Sequence, residues 1–153
     1  MSSGFRVGIT VRRARREVAT VMFDLAYLPG WRSGIRGVEV VSGHPPEEGA
    51  RVRLNGARPD AEFEIVEHQP DLTLVLQSET RILSLGLEGV PVGTVVWLGL
   101  ETERSGLGRL LSLWTDRRAR RIAIRDLRRL KQFIESGEYR TWLTDPDAEA
   151  EDD

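Results

Sequence analysis

Residues Ser105–Gly137 read SGLGRLLSLWTDRRARRIAIRDLRRLKQFIESG. The stretch holds no proline, keeps its glycines near its ends and is rich in Leu, Ala and Arg, so it predicts one long helix. Ser105 is placed to cap its start, and Gly137 to end it as a left-handed residue. Its apolar positions fall on two faces. Leu107, Leu110, Leu111 and Trp114 share one. Ala119, Ile122, Ala123, Leu127, Leu130, Phe133 and Ile134 share another, rotated by roughly 140° at about 100° per residue. Either the helix bends between the two faces, or its halves meet different surfaces. A helix of this length cannot bury its apolar side alone, so the rest of the chain must supply a sheet to hold it.

Upstream, the period changes to two. Phe5–Arg12 alternates, with Phe5, Val7, Ile9 and Val11 on one side. Ala14–Leu28 then places Val18, Val21, Met22 and Leu25 at helical spacing, and Pro29-Gly30 is expected to end that helix. Six short strands are predicted next: 35–42, 50–55, 61–68, 72–79, 81–87 and 94–103. Turn residues separate them, at spacings that suit an antiparallel meander. Gly86 and Gly99 inside strands mark expected bulges or bends. The expected class is α+β, in the order β-α(-α)-β6-α.

The 153 residues fit one domain, expected over 1–144. With 40% apolar and 30% charged residues, the composition is that of a globular protein with a real core. The formal charge of −2 is unevenly spread. Asp145, Asp147, Glu149, Glu151, Asp152 and Asp153 crowd the end, and residues 145–153 read as an acidic, disordered tail. Setting those six aside leaves 18 acidic residues against 22 basic ones, a body of about +4. The absence of cysteine excludes disulfides and thiol catalysis. No run of about 18 apolar residues and no signal peptide is present. A cytoplasmic protein with no membrane span is therefore expected.

Four stretches carry a family resemblance: EVATVMFDLAYLPGWRSGIRGVEVVSG at 17–43, AEFEIVEHQPDLTLVLQSE at 61–79, GTVVWLGLETE at 93–103 and RDLRRLKQFIESGEY at 125–139. Together they resemble the START-like (SRPBCC) superfamily, and within it the polyketide cyclase/dehydrase and lipid-transport group. The resemblance spans roughly residues 5–140 and rests on hydrophobic spacing rather than on fixed catalytic residues. It implies a helix-grip fold, in which a curved seven-stranded antiparallel sheet wraps around the long C-terminal helix. It also implies a cavity between them for a lipid, polyketide or quinone-like molecule. Some members of the family catalyse cyclisation or dehydration, and others only bind.

The lining such a cavity would have comes from inward strand positions and the helix face: Phe63, Leu74, Leu76, Leu85, Leu98, Trp114 and Ile122, with Trp31 at the lip. Arg118 at the mouth would meet an acidic ligand head. Asp126 falls on the buried side of the helix, where a carboxylate needs a partner. Arg129, one turn on, is within reach. His44 and His68 are the two histidines, and they form no metal-ligand cluster. His44 sits in a Gly-His-Pro-Pro turn, whereas His68 and Asp126 are the weak candidates for acid–base chemistry. No metal or cofactor is called for.

Arg117, Arg118, Arg120, Arg121, Arg125, Arg128, Arg129 and Lys131 make the helix strongly basic. One reading is a nucleic-acid or phosphate-binding helix, but no aromatic interleaves the arginines and one side of the helix must pack, which disfavours nucleic acid as the partner. The plainer expectation is a solvated face that pairs with Glu62, Glu64 and Glu101. Three function classes stay open: a binding module, a cyclase or dehydratase, and a basic-surface interaction protein. The small number of convergent polar residues favours the first, with a small hydrophobic molecule as its partner.

Overall fold

The chain begins with strand β1 (Ser2–Val11), followed by helix α1 (Arg15–Met22), a 3-10 turn (Leu25–Tyr27) and the short helix α2 (Leu28–Trp31). Strands β2 (Ile35–Ser42), β3 (Arg51–Gly56), β4 (Ala61–Gln69), β5 (Thr73–Gln77), β6 (Arg81–Val90) and β7 (Gly93–Glu103) come next. Helices α3 (Gly108–Glu135) and α4 (Tyr139–Trp142) complete it. The computed structural model describes residues 2–56, 61–103 and 108–143, and among them the side chains of 4–56, 62–102 and 117–143. The expected cap Ser105, the side chains of the first apolar face of α3 and the tail 145–153 lie outside the described residues.

All seven strands form one antiparallel sheet in the order β1-β7-β6-β5-β4-β3-β2. The first and last strands in sequence are neighbours, so β1 and β2 are left as the two edges. The α1–α2 segment is the link that carries the chain from one edge to the other. Period-two patterning decides which side is buried. Val7, Val11, Val52, Phe63, Ile65, Leu74, Leu76, Leu83, Leu85, Leu87, Val96 and Leu98 all point to the side held by the helices. This is the α+β helix-grip architecture: a curved sheet around a long C-terminal helix.

The helix α3 packs mainly on β1 and α2. Ala123, Leu127, Leu130, Phe133 and Ile134 are buried, which is the second apolar face of the sequence. A polar clasp fixes its last turn to the end of β1. The Glu135 carboxylate accepts from the Arg12 backbone N–H at 2.9 Å and from Lys131 Nζ at 2.6 Å. Lys131 also donates to the Thr10 carbonyl, and Arg13 donates to the carbonyl of Glu135. Gly137 ends the helix at φ 79°, a left-handed conformation that costs glycine little.

Three expectations need correction. The early helix does not run from Ala14 to Leu28. It stops at Met22, and Asp24 starts the 3-10 turn by accepting from the Ala26 N–H at 3.0 Å. Pro29-Gly30 lies inside α2 rather than ending a helix, because a proline in the first turn forfeits no hydrogen bond. Gly86 and Gly99 sit in an unbroken β6–β7 ladder. The irregularities fall instead at Ile35/Gly37, Val40/Ser42 and Ile65/Glu67.

Candidate functional site

Strand β4 carries the irregularity that shapes the site. Ile65 pairs with Leu76 and Glu67 with Val75, so Val66 has no partner on β5. Strict alternation from Phe63 and Ile65 would put Glu67 on the inner face and His68 outside. The extra residue reverses that order. His68 stands opposite the fully buried Leu74, on the inner face, with its ring edge-on to Phe23 at 6.3 Å between centroids.

There α1, which packs on β6 and β7, and the 3-10 turn, which touches β2, leave a groove of about 480 Å³ against β2 and β4. One wall is helical and includes Phe23 and Leu25. The other comes from the strands, with Val38 and Val40 of β2 and His68 of β4. Pro45, Pro46, Pro70 and Asp71 complete it from the adjoining turns. Val40 pairs with the fully buried Val52, so both face inward, yet Val40 is 55% exposed. It lies on the edge strand β2, at a point that α2 and the 3-10 turn leave uncovered. The result is an apolar wall open to solvent, with His68 as its ionisable side chain and Asp24 and Asp71 nearby in the lining.

Asp126 is placed elsewhere. It is 1% exposed, and its oxygens accept from Arg32 and from the Ser33 hydroxyl. Its partner is therefore Arg32 of the α2–β2 turn, not Arg129, which pairs with Glu138. The helical wheel offers only partners on the same helix, and the winning one comes from 94 residues earlier in the chain. Asp126 borders a second cleft of about 480 Å³, between α2 and α3. His68 and Asp126 thus open into different grooves and do not form one acid–base pair.

The remaining predicted residues divide by depth. Phe63, Leu74, Leu76, Leu85 and Leu98 are buried on the inner face, beneath the helices. Ile122 is half-buried and Arg118 is exposed on α3. Trp31 is 2% exposed and backs the α2–α3 cleft, while the side chain of Trp114 lies outside the described residues. Glu62 pairs with Arg51 across β3–β4 at 3.1 Å rather than with the helix. His44 is exposed in its turn. Among the described residues, no group of three or more His, Asp and Glu could hold a metal ion, and no helix is long and apolar enough to cross a membrane. Sequence reasoning missed Phe23, Val38, Val40, Arg32 and Ser33. Val38 and Val40 could have been found, since they alternate on a strand that closes the sheet.

One ionisable group beside the groove is perturbed. Burial pushes the Tyr27 phenol above its ordinary value, and Asp24 and Tyr139 add to the effect. Tyr27 stacks edge-on against Phe133 and Tyr139, and so ties the 3-10 turn to α3 and α4.

No family model matches the chain, and no curated protein matches it. Solved structures do. The di-domain ARO/CYC StfQ from the steffimycin biosynthetic pathway is 13% identical, over 90% of this chain and 52% of that one, with a TM-score of 0.71. Ara h 8.0201 is 13% identical over 89% and 99%, with a TM-score of 0.64. The protein SA2116 of Staphylococcus aureus is 10% identical over 91% and 97%, with a TM-score of 0.71. The fold is of the START/Bet v1-like type. At such identities the likeness is one of architecture alone.

Proposed function

We propose that the protein binds a small hydrophobic molecule in the groove between α1 and the β2–β4 side of the sheet. The observation that carries the reading is Val40, a valine on the inner face that is 55% exposed and borders a groove of about 480 Å³. Folding normally covers such a face, and a groove of this volume suits a small organic ligand. An apolar wall with few polar groups favours a lipid, polyketide or quinone-like molecule, elongated or ring-shaped. Phe63, Leu74, Leu76, Leu85 and Leu98 are buried outside the lining of this groove and support it, Ile122 and Arg118 of α3 do not border it, and Trp31 backs the other cleft. The StfQ likeness lends a second reading, a cyclase or dehydratase with His68 as its acid–base group. Asp126 has no part in that chemistry because Arg32 and Ser33 hold it in the other cleft.

The test uses the fluorescent probe 1-anilinonaphthalene-8-sulfonate and native mass spectrometry of the purified protein for co-purified ligands. Val40→Asp changes an exposed side chain and should leave folding intact. It should weaken probe binding about tenfold or more by wetting the wall. Unchanged binding by a folded Val40→Asp protein would falsify the groove as the site.

A further inference from the structure

We propose that the cleft between α2 and α3 is a binding site for a phosphate group. It is separate from the α1 groove and stands or falls independently of it. Four arginines line it: Arg32 from the α2–β2 turn, and Arg125, Arg128 and Arg129 from α3. Gln132 adds an amide, and Asp126 is the single carboxylate of the lining among the described residues.

The state of each charge matters more than the count. Both oxygens of Asp126 are engaged, one by Arg32 and one by Ser33. The buried carboxylate therefore holds Arg32 in the wall instead of confronting an incoming anion. The Arg32 side chain is 15% exposed. A guanidinium fixed in this way loses little freedom when a ligand arrives, and its remaining donors suit a tetrahedral oxyanion. Arg129 is shared with Glu138 and lies 5.6 Å from the Phe133 ring centroid. Arg125 and Arg128 are exposed and form no ion pair among the described residues.

Among the described residues the lining thus carries four cations against Asp126, with Glu138 just outside it sharing Arg129, in a recess that concentrates their field. Cations converge from two separate elements, which fits a phosphate with oxygens on several sides better than a flat carboxylate. Trp31 backs the same cleft, and its Nε1–H is a buried donor without a partner among the described residues. The phosphate chemistry has two sources, a free phosphate or the headgroup of an anionic lipid.

The experiment separates the two sources. Inorganic phosphate is titrated into the full chain at low salt by calorimetry. In parallel, the protein is sedimented with phosphatidylcholine vesicles, with and without phosphatidic acid. Arg125→Gln/Arg128→Gln should weaken binding about tenfold or more. Arg32→Lys should weaken it too, although the charge is kept, because the fork is lost. Arg117→Gln/Arg121→Gln removes the same charge from exposed positions of α3 outside the cleft, and should change binding far less. Saturable binding of inorganic phosphate that follows this pattern supports a free-phosphate site. Binding only to phosphatidic acid vesicles, with the same pattern, supports a lipid headgroup. No binding in either arm, or equal loss in the two double variants, overturns the proposal.

Discussion

A Cβ on Gly30 would stand 2.8 Å from Cζ of Phe133. Helix α2 is four residues long, so it owes its place to this flat seating on α3 rather than to its own hydrogen bonds. Both residues are buried, and the Phe133 ring is also braced by Tyr27 and by Trp142. Gly30→Ala must push α2 off the ring. It should lower stability by about 1–3 kcal/mol, the usual cost of overpacking. Chemical denaturation of the variant measures it, and a midpoint equal to wild type would mean that α2 is free to move.

Gly86 is a second seat. A Cβ there would fall 1.8 Å from two carbons of the Trp97 ring, which lies flat across it from the neighbouring strand. Arg6 stacks over the indole at 4.0 Å. A side chain of any size at Gly86 forces the indole out of this stack. Gly86→Ala should cost about 1–3 kcal/mol. The double variant Gly86→Ala/Trp97→Ala should recover part of that loss, because the obstruction is gone. Additive losses in a double-mutant cycle would refute the seating.

Leu130 is completely buried at the centre of the apolar face of α3. Truncating it removes contacts that the rigid helix cannot replace. Leu130→Ala should therefore cost about 2–5 kcal/mol. A variant that melts within a degree or so of wild type would show that α3 is not held by this face.

The clasp between α3 and β1 gives a dependence on acid. Burial alone would raise the Glu135 carboxyl, but the N–H of Arg12 and the ammonium of Lys131 outweigh it and hold the group below its ordinary value. A depressed folded value means that the contribution is present above the usual glutamate range, about 4.3. It is lost as pH falls through the folded value. Glu135→Gln should be about 1 kcal/mol less stable at neutral pH. The difference from wild type should shrink below about pH 4. Stability curves that stay parallel down to acid pH would remove Glu135 from the account.

Much of the architecture is legible because it rests on periodicity. Phe63, Ile65, Leu83, Leu85 and Leu98 alternate in the sequence and are buried in the fold, and Gly137 ends α3 where its lack of a side chain permits. What failed was anything that depends on a distant partner or a single inserted residue. No glycine or proline marks the bulge at Val66, so alternation along β4 does not show how His68 reaches the inner face. Asp126 lies 94 residues from Arg32 in sequence, a pairing that a helical wheel cannot contain. Gly86 announces a departure from regular strand, but its reason is Trp97 on the next strand.

The groove can be tested by separating lining from support. Phe23 borders it and packs edge-on against His68, whereas Leu74 stands opposite His68 in the ladder and is fully buried outside its lining. Both are core side chains, so Phe23→Ala and Leu74→Ala should each cost stability, about 3–5 and 2–5 kcal/mol respectively. Their effects on ligand should differ. Removing Phe23 deletes an aromatic wall and should weaken binding of 1-anilinonaphthalene-8-sulfonate by about 1–3 kcal/mol. Leu74→Ala, measured where the variant is still folded, should bind the probe nearly as wild type does, because the truncated side chain leaves the groove surface in place. Fluorescence titration of the two variants at a temperature well below both transitions gives the comparison. If Leu74→Ala loses more affinity than Phe23→Ala, the ligand lies deeper, between the sheet and α3, and the α1 groove is only its entrance.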